Sequence, residues 1–147
     1  MKNISLAQSY MIKISKRIKV LDLLMNEKAY SDVIREAQEV VELAQKAMLR
    51  QVGIDPPKWH DVGSILLEHR DFFPEQEQKY IERLAEISKW LRKERELSFY
   101  GDIDFIPTEE YTYEDARRAI EDARFVIDIA KKIVPIPISD EDNQGSC

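Results

Sequence analysis

Val33-Ile34-Arg35-Glu36-Ala37-Gln38-Glu39-Val40-Val41-Glu42-Leu43-Ala44-Gln45-Lys46-Ala47-Met48 decides the class of this chain. Val33, Ala37, Val40, Ala44 and Ala47 recur at alternating steps of four and three, and Val41 and Met48 widen the stripe. Each residue turns an α-helix by about 100°, so this spacing collects the apolar groups on one face and leaves the charged ones opposite. A strand would need period two, and the stretch has none.

Working outward, three more segments carry the same pattern. The first runs Ala7, Met11, Ile14, Ile18, Leu21, Met25; the third Tyr80, Leu84, Ile87, Leu91; the fourth Ala116, Ile120, Ala123, Ile127, Ala130, Val134. No segment alternates long enough for a strand. A shorter helix is expected from Asp61 to about Arg70. Four long helices with short connections and one shared core predict an all-α fold, an up-and-down four-helix bundle with an additional short helix. Residues 1–134 form that bundle in this reading, and residues 135–147 form an acidic tail expected to be disordered.

The boundaries carry capping chemistry. Ser31 is placed to cap the second helix, and Gly53 to take a left-handed conformation at its end. Pro74 suits the first turn of the third, with Glu75 and Glu77 near its positive end. Thr112-Tyr113-Glu114-Asp115 has the form of a capping box before the fourth. Two loops stand out: Ile54 to His60, stiffened by Pro56 and Pro57, and Gly101 to Tyr111, which holds Ile103, Phe105, Ile106 and Pro107. So apolar a loop is either tucked against the bundle or part of a partner surface.

With 147 residues, 44% apolar and 34% charged, the chain suits one soluble helical domain. No stretch approaches the roughly 18 apolar residues of a membrane span, and the N-terminus lacks a signal-peptide core, so a cytoplasmic location without membrane contact is expected. Cys147 is the single cysteine, which excludes an intrachain disulfide. A net charge of −6 argues against sequence-blind attraction to nucleic acid. Lys13, Lys16, Arg17 and Lys19 nevertheless cluster on the first helix, and Lys89, Arg92, Lys93 and Arg95 on the third.

Several chemistries drop out on spacing. His60 and His69 are nine residues apart and out of helical register, so no metal site is expected. Glu39 and Glu42 share a face, but the Glu-x-x-His pairs of a di-metal bundle are missing, and these carboxylates read as solvated surface. No phosphate-cradling glycine loop occurs, and no cofactor is implied.

Arg95 is the anomaly. One helical step beyond Leu91 on the apolar stripe lands on it, and burying a guanidinium unpaired costs several kcal/mol. Either its stem packs while its head reaches water, or Arg95 and Tyr100 face a shared cleft that grips a phosphate and a base or ribose.

At this point the chain resembles the HEPN-domain family (higher eukaryotes and prokaryotes nucleotide-binding). Residues Ala37 to Leu49 are similar to the family's second helix. Gly53 to Pro57, His60-Asp61-Val62 and Leu66-Leu67 resemble its Gly, Pro, His-Asp-Leu and Leu-Leu landmarks. Arg95-Glu96-Leu97-Ser98-Phe99-Tyr100-Gly101-Asp102 resembles its late motif, and Tyr111 to Ala116 the start of its final helix. The resemblance implies a bundle that commonly forms homodimers, association with a minimal nucleotidyltransferase, and often a toxin–antitoxin pairing. Its catalytic members are metal-independent ribonucleases in which an Arg stabilises phosphorane charge and a His, four to six residues on, moves a proton. Here Arg95 and the polar Glu96 are present, but Tyr100 stands where the His belongs, and no histidine follows His69. Phenols ionise near pH 10 and make poor bases at neutral pH, and losing general acid–base catalysis typically costs roughly 100- to 10,000-fold.

The resulting expectation is a non-catalytic protein that binds a nucleotide or RNA phosphate at a dimer cleft. Arg95, Glu96 and Tyr100 centre the site, with Arg92 and Asp102 beside them; Arg95 and Tyr100 are the catalytic candidates if any chemistry survives. One alternative is an active ribonuclease toxin using Tyr100 or a displaced His60. Another is a structural module in which Arg95 pairs with Glu42 or Asp102.

Overall fold

The computed structural model describes residues 4–58 and 61–135. His60 and the expected tail from residue 136 onward lie outside them. The long helices are α1 (Leu6–Asn26), α2 (Tyr30–Gln51), α5 (Ile81–Phe99) and α7 (Tyr113–Ile133). Short helices α3 (Val62–Glu68), α4 (Glu75–Gln78) and α6 (Pro107–Glu110), and a 3₁₀ turn at Arg70–Phe72, fill the connections. Among the described residues there is no strand, and only a single β-bridge, between Asp102 and Phe105. The fold is all-α, as the periodicity predicts, with more short helices than the one expected.

The helix starts follow from local chemistry. Ser5 and Gln8 form a reciprocal capping box on α1, and Thr112 and Asp115 form the expected one on α7. Asp61 caps α3 by accepting the Gly63 N–H. Gly53 is left-handed, φ 84°, where the end of α2 requires it.

Two expected boundaries move. α2 starts at Tyr30 with Ala29 at its cap, so Ser31 sits buried inside the first turn and does not cap. The left-handed Lys28 reverses the chain early, and the Tyr30 ring packs edge-on against Tyr113, 6.0 Å between centroids. The third long helix starts at Ile81, not Pro74. Tyr80 N–H bonds to the Glu77 carbonyl three residues back, a tightened turn that separates α4 from α5.

α2 is the spine of the core. It packs against α1, α5 and α7, most extensively against α7, while α5 and α7 meet chiefly through long side chains such as Trp90 and Asp122. Ala37, Ala44 and Ala47 of α2 and Ala116, Ala119, Ala123 and Ala130 of α7 are buried, and such small side chains let two backbones approach closely. Ile34, Met48, Leu49, Leu84 and Leu91 are fully buried around them, each burial contributing about 1.5–3 kcal/mol. Gln45, also fully buried, donates from Nε2 to the Leu84 carbonyl at 2.8 Å and ties α2 to α5.

The loop after α5 is split between core and surface. Phe105 packs against the core and against Tyr111, whose hydroxyl donates to Glu94 Oε2 at 2.7 Å. Burial first, then the hydrogen bond to Glu94, raises the Tyr111 phenol well above its ordinary range. Ile103 points outward at 88% exposure, with Ile106, Phe99, Tyr100 and Tyr113 also exposed at this end of the bundle.

Candidate functional site

Leu84, Ile87 and Leu91 fix the face of α5 that meets α2, and Arg95 continues it one step toward the helix end. There its Nη2 lies 3.1 Å from Oε1 of Glu39 on α2. The carboxylate that answers the charge is Glu39, not Glu42 or Asp102. Glu42 is already engaged, accepting from Gln38 Nε2 at 2.9 Å and pairing with Lys46 at 3.6 Å. The Asp102 carboxylate accepts the Ile103 N–H within its own turn. The Arg95 side chain stays 41% exposed and that of Glu39 27%, so the pair is half in water.

A second arginine meets the same oxygen. Arg35, one turn before Glu39 on α2, places Nε 3.5 Å from Glu39 Oε1. Its guanidinium also lies over the Phe99 ring, 4.5 Å from the centroid, a cation–π contact that holds its plane. Alongside, Arg17 of α1 grips Glu36 with both Nε and Nη2, at 2.8 and 3.1 Å. That bidentate hydrogen bond raises the Arg17 pKa further, with Glu39 adding to the field. Three guanidiniums and two carboxylates thus form a strip across α1, α2 and α5.

The residues singled out from sequence distribute unevenly. Arg95 lies inside this strip. Tyr100 is five residues on, about 140° around a helix, and does not share its face. Its ring is 75% exposed and meets Phe99 edge-on at 4.8 Å; among the described residues no hydrogen bond joins it to Arg95. Phe99, four residues from Arg95, occupies the position beside the strip. Glu96 is exposed, and its carbonyl accepts the Tyr100 N–H. Arg92 is exposed one turn earlier, and Asp102 lies in the turn held by left-handed Gly101.

Arg35 is the contributor not singled out in the sequence reading, Glu39 reads there as solvated surface, and Phe99 figures only within the late motif. The Arg35–Glu39 spacing is the ordinary i, i+4 signal of a helix-surface pair, and nothing along the chain joins Glu39 to Arg95. A separate concavity of about 220 Å³ lies between α5 and α7, lined by Arg83, Glu86, Ile87, Trp90, Arg118 and Asp122. Its two cations are offset by two carboxylates, and Trp90 Nε1 donates to Asp122 at 2.9 Å.

The family model described as HEPN domain matches residues 10–133. A Methanocaldococcus jannaschii protein named "Putative toxin MJ1304" is 26% identical over 136 residues, which cover 88% of each chain. No solved structure matches. Among the described residues no helix is long and apolar enough to cross a membrane. The helical bundle, the ordered motifs along it and the family match over most of its length place this chain in the HEPN domain family.

Proposed function

We propose that this protein is a non-catalytic HEPN protein that binds a nucleotide or RNA phosphate at a dimer cleft, with Arg95 as the principal phosphate contact. The observation that carries the reading is Arg95 itself, a core-stripe position occupied by a guanidinium that remains 41% exposed. An arginine wanted only for stability gains little there, since a half-exposed ion pair is worth about 0–1 kcal/mol. A planar guanidinium fork presents two parallel N–H donors to a phosphate, a geometric match that a lysine lacks. Glu96, Arg92, Tyr100 and Asp102 rim the same end of α5, and the exposed Tyr100 ring offers a base a stacking surface.

Cleavage lacks its proton carrier in this reading. No histidine follows His69 in the sequence, and Tyr100, five residues beyond Arg95, falls about 140° around the helix from it. The partner is a second copy, received by the exposed Ile103 end of the bundle, and a minimal nucleotidyltransferase acts beside the pair. The second reading, a metal-independent ribonuclease toxin, draws support from the Methanocaldococcus relative, which is named a putative toxin. Fluorescence anisotropy with a short labelled single-stranded RNA separates the two. Retention of intact RNA that Arg95→Ala abolishes supports binding without cleavage, and metal-independent fragmentation that Arg95→Ala stops supports the toxin.

A further inference from the structure

Resting on the reading of Arg95 as a phosphate contact, we infer that Glu39 is an internal stand-in for the ligand and that Arg35 is the second arginine of the site. Two guanidiniums from different helices converge on one carboxylate oxygen: Arg95 Nη2 at 3.1 Å and Arg35 Nε at 3.5 Å from Glu39 Oε1. Carboxylate and phosphate oxygens accept from the same donor forks, so the position of Oε1 is where a phosphodiester oxygen is received. The ligand class is therefore a phosphate whose oxygens bridge α2 and α5.

Exposure makes the exchange feasible. Arg35, Glu39 and Arg95 side chains are 26%, 27% and 41% exposed, so the two pairs are weak enough for an incoming anion to displace the carboxylate. Arg35 does not leave with it, because the Phe99 ring holds its guanidinium from below. Arg17 stays out of the exchange, since its Nε and Nη2 fork is committed to Glu36 at 2.8 and 3.1 Å. Glu39 thus neutralises the empty site and sets a threshold that a ligand must exceed, which makes it a positioning residue for the two arginines.

The test compares wild type, Glu39→Gln, Arg35→Ala, Arg35→Lys and Arg95→Ala, with a short labelled single-stranded RNA and, separately, inorganic pyrophosphate. Removing the competing charge in Glu39→Gln is expected to tighten binding by about threefold to fivefold, the fold-change equivalent of one half-exposed pair. Arg35→Ala weakens RNA binding and lowers the salt slope of log K by about 0.7, the single-strand increment for one phosphate contact, and Arg35→Lys restores part of both. A merely structural Arg35 would leave the salt slope unmoved. Binding that Arg95→Ala abolishes but that Glu39→Gln weakens or leaves unchanged overturns this inference while sparing the reading of Arg95. Wild-type affinity and salt slope in Arg35→Ala overturn it as well, whether or not Glu39→Gln folds. No binding of either probe by any variant, Glu39→Gln included, overturns both. Pyrophosphate binding without RNA binding keeps the two-arginine site and assigns it a free phosphate ligand.

Discussion

Arg95 and Glu39 are 56 positions apart in the chain and 3.1 Å apart in the fold, joined across the α5–α2 contact. The pair resolves the charge problem posed by an arginine on an apolar stripe. It does so at the water's edge, where the guanidinium remains available.

Leu91, one helical step before Arg95, is fully buried against α2. Leu91→Ala is expected to cost about 2–5 kcal/mol through lost transfer energy and a residual cavity. Urea denaturation measures it, and a loss below about 1 kcal/mol would mean that α5 is not seated as described.

Tyr111→Phe removes the hydroxyl donated to Glu94 and is expected to cost about 1 kcal/mol near neutral pH. Folding raises this phenol above its ordinary value near 10, so its stabilising contribution is complete below that pH and is lost as the pH climbs through the folded value. Wild type should therefore lose more stability than Tyr111→Phe between neutral and strongly alkaline pH. Parallel alkaline curves would contradict the assignment.

Gly101 is left-handed, φ 68°, and a Cβ there would fall 2.5 Å from the Phe105 carbonyl oxygen and the Pro107 ring. Gly101→Ala is expected to destabilise by about 1–3 kcal/mol and to disturb the turn carrying Asp102. Thermal melting reads the first effect. An unchanged melting temperature would show that the turn relaxes freely.

Ile103, at 88% exposure, is a large apolar side chain turned to water beside exposed Phe99, Tyr100 and Ile106. If this end receives a second copy, Ile103→Asp converts a dimer to a monomer in sedimentation equilibrium without lowering the melting temperature of the isolated subunit. A wild-type protein that sediments as a monomer at micromolar concentration contradicts the dimer.

The fold was legible wherever burial enforces periodicity. The stripes beginning at Val33 and Ala116 became α2 and α7 because both faces carry small and branched apolar residues that have only one place to go. Ser31 and Pro74 misled because capping preference is weaker than tertiary contact: the Tyr30–Tyr113 packing and the tight turn at Tyr80 set those ends instead. The candidate site was half legible. Arg95 announced itself by interrupting a stripe, but Glu39 read as solvated surface, since a helix says nothing about which distant helix will cross it. Tyr100 drew notice by its spacing, whereas helical rotation puts Phe99 beside the strip.

The most direct measurement is anisotropy of a short labelled single-stranded RNA with the metal-free protein, followed by resolving the RNA on a denaturing gel. Wild type is expected to retain the RNA intact, and Arg95→Ala to lose retention while its melting temperature stays within a few degrees of wild type. Retention unchanged in Arg95→Ala, or cleavage of the RNA by wild type, would contradict binding through Arg95 without cleavage.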